Sequence, residues 1–324
     1  MRNTFLDVRT ARDIDAVVSK IFRGLGNPEP PLILDDVRAL QKLDRQYYSS
    51  VDDGPLREFV SRAYIGAKQV FLRPTLILEV VRKRSLKALY LPDRKRILID
   101  SSEPELKWRW NESHEIIHAG VPWHQDAMFG DTDHTLSPSC HEQIEAQANY
   151  GAGRLLFFQD NLRDFISLSA PNFALVQQIK KHYGNTLTSS LWRMVEALDI
   201  PALGLVGPPP WKRVPGNADP CRYFIRSTAF IERFANVTEH HVCDLLRACS
   251  SYRSGGPIAN DDVVLTDDCA QRHVFHLESF YNRHEALTIL THKSQVGTKI
   301  AASSATAPDR LWSSSDHGKI GNAI

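Results

Sequence analysis

Residues 105–120, ELKWRWNESHEIIHAG, decide how the rest of the chain is read. Upstream, Ser102 and Glu105 stand at the spacing of a capping box, Pro104 falls in a first turn, and Gly120 is placed to end a helix. A helix is therefore expected from about 103 to 118. On it His114 and His118, four residues apart, share one face a turn apart, so both imidazoles can reach a single ion. Glu115 lies about 100° around the helix, off the ion but beside a water that the ion would hold. Two imidazoles and a flanking carboxylate in this order suit zinc-dependent hydrolysis of a peptide bond, with Glu115 taking the proton of the attacking water.

Such a centre needs a third protein ligand, and the chain offers two. His124 lies ten residues after His114, the place of a third histidine in HExxHxxGxxH, but position 121 is Val and the glycine comes one place early, at 120. Glu145 is preferred. It sits one turn inside a second expected helix, which a capping box of Ser139 and Glu142 opens and which runs to about Phe158. Ala148, Asn149 and Ala152 follow Glu145 on its face, with Gly151 and Gly153 beside them. Small residues there allow the close helix approach that metal–carboxylate bonds of ~2.0–2.2 Å require. Glu142 already has a role in the cap.

Working outward, Leu86–Leu91 and Arg96–Asp100 flank Pro92-Asp93-Arg94-Lys95 and read as a β-hairpin. Before it, Thr75–Val81 reads as a strand, and residues 12–24, 35–46 and 55–72 as helices; Ile14, Val17, Val18, Ile21 and Phe22 share a face of the first. Residues 121–138 are loop-like, and 171–198 reads as two helices broken at Gly184-Asn185. Residues 201–220 have the proline and glycine content of a linker. Beyond it, Arg222–Phe230, Val263–Thr266, His273–Phe280 and Leu287–Thr291 are strand-like and Glu239–Cys249 helical. The stretch from about 296 has little to bury and is expected to be disordered.

Composition narrows the function. Hydrophobic residues make up 42% and charged residues 24%, and the net charge is +1, so no general case for nucleic-acid or membrane binding arises. The N-terminus carries charges where a signal peptide is apolar, and no run reaches the ~18 apolar residues of a membrane span. Cys140, Cys221, Cys243, Cys249 and Cys269 form no CxxC pair and read as reduced thiols of a cytoplasmic protein. His240-His241, His273 and His276 read as surface or core histidines.

Over residues 86–200 the chain resembles the ImmA/IrrE metallopeptidases. The resemblance is carried by the hairpin KALYLPDRKRILIDSS, by ELKWRWNESHEIIH, and by EAQANYGAGRLLFF, where a Glu four residues before an Asn leads into small residues and a Leu-Leu pair. It implies that His114, His118 and Glu145 are metal ligands and Glu115 the catalytic carboxylate. It also implies an intracellular zinc endopeptidase whose substrate is a protein such as a helix-turn-helix transcriptional repressor. N/O ligation suits zinc, though manganese or iron suits it too. Three positions depart from the family pattern: Ile117 replaces the glycine before the second histidine, Gly151 replaces a bulky aromatic, and Phe157-Phe158 replaces Met-Pro. The family's helix-turn-helix-like segment corresponds to HYGNTLTSSLWRMVEAL, where Lys180, Lys181, His182 and Arg193 carry the charge.

The expected fold is α+β. It comprises a mainly helical N-terminal region (1–72), a zincin-like metallopeptidase core with a small β-hairpin or sheet and a trailing helix pair (73–200), and the linker (201–220). A small C-terminal α+β unit (221–295) and the tail (296–324) complete it. The competing function is a catalytically silent scaffold that binds protein or DNA; a retained Glu115 argues for the enzyme, because a scaffold has no use for a general base.

Overall fold

A computed structural model describes residues 2–48, 88–91, 95–124, 138–158, 161–212, 219–250 and 255–296. The expected helix at 55–72, the strand at 75–81, the tail from 297 and most of the 121–138 loop lie outside the described residues. The fold is α+β.

Helix α1 (Val8–Gly24) is capped by Asp7, whose side chain accepts the Thr10 N–H, and buries Ile14, Val18 and Ile21. Helix α2 is shorter than expected, Leu34–Gln41, because Lys42 turns into the left-handed region at φ 56°. Residues 44–46, expected at its end, belong to strand β1 (Asp44–Tyr48) instead. The sequence there, DRQYY, ends in two tyrosines of high strand preference. Strands β2 (Ala88–Leu91) and β3 (Arg96–Asp100) form the expected antiparallel hairpin, and β1 pairs parallel to β3, giving the order β1-β3-β2.

Helix α3 (Glu105–Gly120) begins two residues later than expected, with Pro104 as its N-cap and no side-chain cap. Ser102 therefore plays no capping part; its backbone N–H donates to Asp100 at 2.9 Å. Helix α4 (Pro138–Leu156) already includes Ser139, so its cap cannot be that residue. A short helix α5 (Asn161–Ser167), not anticipated from the sequence, leads to α6 (Phe173–Tyr183) and α7 (Leu187–Ala197). The break between the last two falls at Gly184, which adopts φ 66°, as expected of a glycine after a helix.

Residues 202–207, read as linker, are strand β4, buried along its whole length. Proline and glycine content misled because a strand and a proline-rich loop adjoin there. Gly204 is small for a packing reason: a Cβ on it would sit 3.2 Å from Val195 and 3.3 Å from Ile225. Strand β5 (Tyr223–Arg226), helices α8 (Thr228–Ile231) and α9 (Glu239–Cys249), and strands β6 (Gly256–Thr266), β7 (Arg272–Tyr281) and β8 (Ala286–Gln295) follow. The antiparallel sheet runs β5-β4-β8-β7-β6. One core joins this sheet to the helices. Ile14, Ile117, Ala152, Leu191, Val206 and Leu287 belong to the same buried cluster.

Candidate metal centre

Helices α3 and α4 lie side by side because small residues line their contact. Ala148 and Ala152 are fully buried. At Gly151 a Cβ would stand 2.7 Å from Cγ2 of Ile117 and 3.0 Å from Cγ2 of Ile14, closer than side chains tolerate. This approach carries Glu145, one and a half turns earlier on α4, to the two histidines of α3.

The three side chains converge. Nε2 of His114 and Nε2 of His118 are 3.0 Å apart, and the rings meet edge to face with centroids at 4.7 Å. Glu145 sets one oxygen 3.1 Å from Nε2 of His114 and the other 3.6 Å from Nε2 of His118. All the donor atoms lie within 4.8 Å of one another, and the group can hold a metal ion. The histidine side chains are 13% and 5% exposed against 43% for Glu145, so the centre opens to solvent on the carboxylate side.

The chemistry of the donor set fits a divalent ion. Nδ1 of His114 meets the side-chain oxygen of Asn149 at 3.2 Å, which assigns the ring hydrogen to Nδ1 and leaves a lone pair on Nε2. With neutral rings that lone pair faces a carboxylate oxygen and a second imidazole nitrogen, an arrangement that a shared metal ion, like a proton, reconciles. Metal–nitrogen bonds of ~2.0–2.1 Å would set two ligating nitrogens about 3.3 Å apart, near the separation found.

The electrostatics agree. Burial alone would raise the Glu145 pKa, but hydrogen bonds and charge from His114 and His118 outweigh it and hold the carboxyl well below its usual range. Burial works against protonation of His114, yet Glu145 and Glu115 raise its pKa overall. The pocket favours positive charge at its centre.

Glu115 is buried next to this group and outside it. Burial raises its pKa overall against the pull of His118 and His114, and the backbone N–H of Tyr90 on β2 faces it and favours its charged form. The hairpin thus holds the carboxylate that the helix presents.

His124 is not brought into the group of candidate ligands. It is fully buried, its ring packs 4.9 Å from that of His118, and its Nε2 lies 3.0 Å from the side-chain oxygen of Gln147. The indole N–H of Trp123 donates to the same oxygen at 2.8 Å. Burial, and next the charge of His118, lower the His124 pKa to about 4. Gln147, Asn149 and the Tyr90 N–H went unanticipated. The sequence places Asn149 on the face of Glu145, one helical turn on, but does not show that it would hold the His114 ring.

No protein-family model matches the chain, and no curated protein matches it. Among solved structures, a Mycobacterium tuberculosis transcriptional regulator matches with 13% identity and a TM-score of 0.47, over 92% of this chain and 94% of that one. A likeness this remote carries no argument about what the chain does. None of the described helices is long and apolar enough to cross a membrane.

Proposed function

We propose that the chain is a zinc metallopeptidase of the ImmA/IrrE type, hydrolysing a peptide bond in a protein substrate such as a helix-turn-helix repressor. The observation that carries this reading is the convergence of His114, His118 and Glu145 beside a buried Glu115 that stands apart from them. A zinc ion held by those three residues would supply Lewis acidity to a water and to the scissile carbonyl. Glu115 would then act as general base. Its buried carboxylate would take the proton of the attacking water and return it to the leaving amine, with the Tyr90 N–H favouring its charged form. Asn149 holds the His114 ring in the orientation that aims Nε2 at the centre.

The departures from the family pattern also support the reading, because two of them compensate. Ile117 is large where the family has glycine, and Gly151 is small where it has an aromatic. These residues face each other across the α3–α4 contact at the distance quoted above, so the added and missing volumes cancel. The backbones keep their approach, and with it the ligand geometry.

The scaffold alternative gains nothing from the helix pair. No residue of α7, the second helix of that pair, is fully exposed, and Arg193 on it is paired with Glu196 at 2.6 Å. A groove-reading helix needs a free face. The deciding experiment is Glu115→Gln. This variant should bind metal and fold as wild type, capture the protein substrate in cells, and lose cleavage by roughly two to four orders of magnitude. Equal regulation of target genes by wild type and variant would show that proteolysis is not the function.

A further inference from the structure

We propose that the groove between the α6–α7 corner and the β7–β8 turn binds a small phosphorylated ligand of the nucleotide class. The groove has a volume of about 1040 Å³ and is lined by Lys180, Lys181 and Arg283 with the rings of Phe280 and Tyr281. That is room for a nucleotide-sized molecule, for which sites of ~300–1,000 Å³ are usual.

Every charged residue of the lining is cationic. Whole-chain composition does not explain this, since the net charge is only +1. Among the described residues none of the three cations has an ion pair or side-chain hydrogen bond, and unlike other unpaired cations such as Arg9, Arg23 and Arg272 they gather at one groove. The nearby carboxylates are committed elsewhere. Glu285 pairs with Arg222 at 3.1 Å, and Glu278 accepts the backbone N–H of Phe173 at 2.7 Å and contacts His276 at 3.3 Å. Three exposed like charges around one concavity make its potential positive, so that an anion there would be attracted by all three.

The turn that carries Arg283 is built to hold it. The side chain of Asn282 accepts the N–H groups of His284 and Glu285, and the Tyr281 hydroxyl donates to the Arg283 carbonyl at 3.0 Å. Arg283 itself sits at φ 73°, a conformation that glycine or asparagine adopts more readily. An arginine kept there places a planar guanidinium, suited to phosphate oxygens, at the rim of the groove. Phe280 and Tyr281 of the lining are held in place by Phe173 and Trp211, with ring centroids 5.8 and 5.2 Å apart, and a fixed aromatic wall favours a phosphate carried on a flat ring system over a bare one. Duplex DNA fits poorly, because the cations ring a concavity rather than form a stripe.

This proposal is independent of the peptidase reading. The test is calorimetric titration of the full chain with ATP, GTP, inorganic triphosphate and a short DNA duplex, repeated on His114→Ala to separate the groove from the candidate metal centre. ATP or GTP should bind once per chain in both proteins, and inorganic triphosphate at least roughly tenfold more weakly. Arg283→Gly should weaken nucleotide binding by about tenfold or more while leaving the melting temperature unchanged or higher, since glycine suits that backbone conformation. A Lys180→Ala/Lys181→Ala double variant should weaken it likewise. The proposal is overturned by any of four results: no nucleotide bound at about 1 mM, undiminished binding in these variants, triphosphate as tight as nucleotide, or duplex bound in place of nucleotide.

Discussion

Two clusters in this chain each contain a pair of imidazoles and a carboxylate, yet they are built for opposite ends. At His114, His118 and Glu145 the free atoms point inward to one place, with Nε2 of each ring turned to the same carboxylate. At Asp267, His273 and His292 the same groups form a line. His273, 1% exposed, uses Nε2 toward Asp267 at 3.0 Å and Nδ1 toward His292 at 3.2 Å. Asp267 also accepts the backbone N–H groups of Cys269 and Gln271, and Arg233 approaches the imidazole at 3.3 Å. The linear cluster satisfies its own donors and acceptors and has a resident cation; the convergent one leaves its lone pairs facing one another. Residue type alone does not make a ligand set. The direction of the unspent lone pairs does.

The largest expected effect breaks the comparison at its root. Purified protein should carry about one divalent metal per chain by mass-spectrometric metal analysis, an open catalytic site having three protein ligands. His114→Ala or His118→Ala should abolish it, and Glu145→Ala should weaken affinity by at least about a hundredfold, beyond what loss of an outer hydrogen bond costs. His273→Ala should leave metal content unchanged, and His124→Ala should leave affinity within a few-fold. Metal retained in the His118 variant and lost in the His273 variant would reverse the assignment of the two clusters.

A smaller effect sharpens the contrast in what holds each cluster together. The convergent cluster depends on the Ile117 side chain of α3 packing directly on the backbone of α4 at Gly151. Gly151→Ala should destabilise the chain by ~1–3 kcal/mol, because its Cβ overlaps Ile117, and should reduce metal affinity by displacing Glu145. Ile117→Ala should cost ~2–4 kcal/mol through the cavity it leaves. The double variant should be more stable than the sum of the two losses implies, as in coupled sites generally, and denaturant unfolding of all four proteins measures the coupling. Strict additivity would mean that Ile117 and Gly151 do not compensate each other in volume.

The sequence discloses the convergent cluster far better than the linear one, for a physical reason. Helical ligands obey a local period, so His114, His118 and the small face around Ala148 and Ala152 can be placed on facing surfaces from spacing alone. Asp267, His273 and His292 meet only through a hairpin and the antiparallel register of β7 and β8, where Phe275 lies opposite His292 after a register shift. Spacing along the chain holds no trace of that shift. The same limit explains β4. Its Ala202–Gly207 segment, ALGLVG, is apolar throughout, as a strand buried on both faces can be, but the prolines after it dominate a composition window. At α2 a single left-handed residue, Lys42, ended the helix, and nothing in its neighbours marks that choice.

The smallest effect concerns acid and the linear cluster. Burial, then the charges of His273 and Arg233, lower the His292 pKa in the folded state. Backbone N–H groups, first that of Gln271, and the bond to His273 lower the Asp267 pKa despite some opposing burial. Both signs point the same way. A group whose folded pKa is depressed takes up its proton more readily when unfolded, so acid favours unfolding. The His292 contribution is complete above its unfolded pKa of about 6.5 and fades as pH falls below it; the Asp267 contribution is complete above about 3.9 and fades as pH falls through the lower folded value. Melting temperatures measured from pH 8 to pH 3 should therefore decline in two separable steps. His292→Asn should shrink the upper step, to which His124 also contributes, and Asp267→Asn the lower one, to which Glu145 and Glu239 also contribute, and neither should change metal content at pH 7.5. If Asp267→Asn instead steepened the decline toward acid, its carboxylate would be bound in the folded state less favourably than its backbone partners imply, and the account of this cluster as self-satisfied would fail.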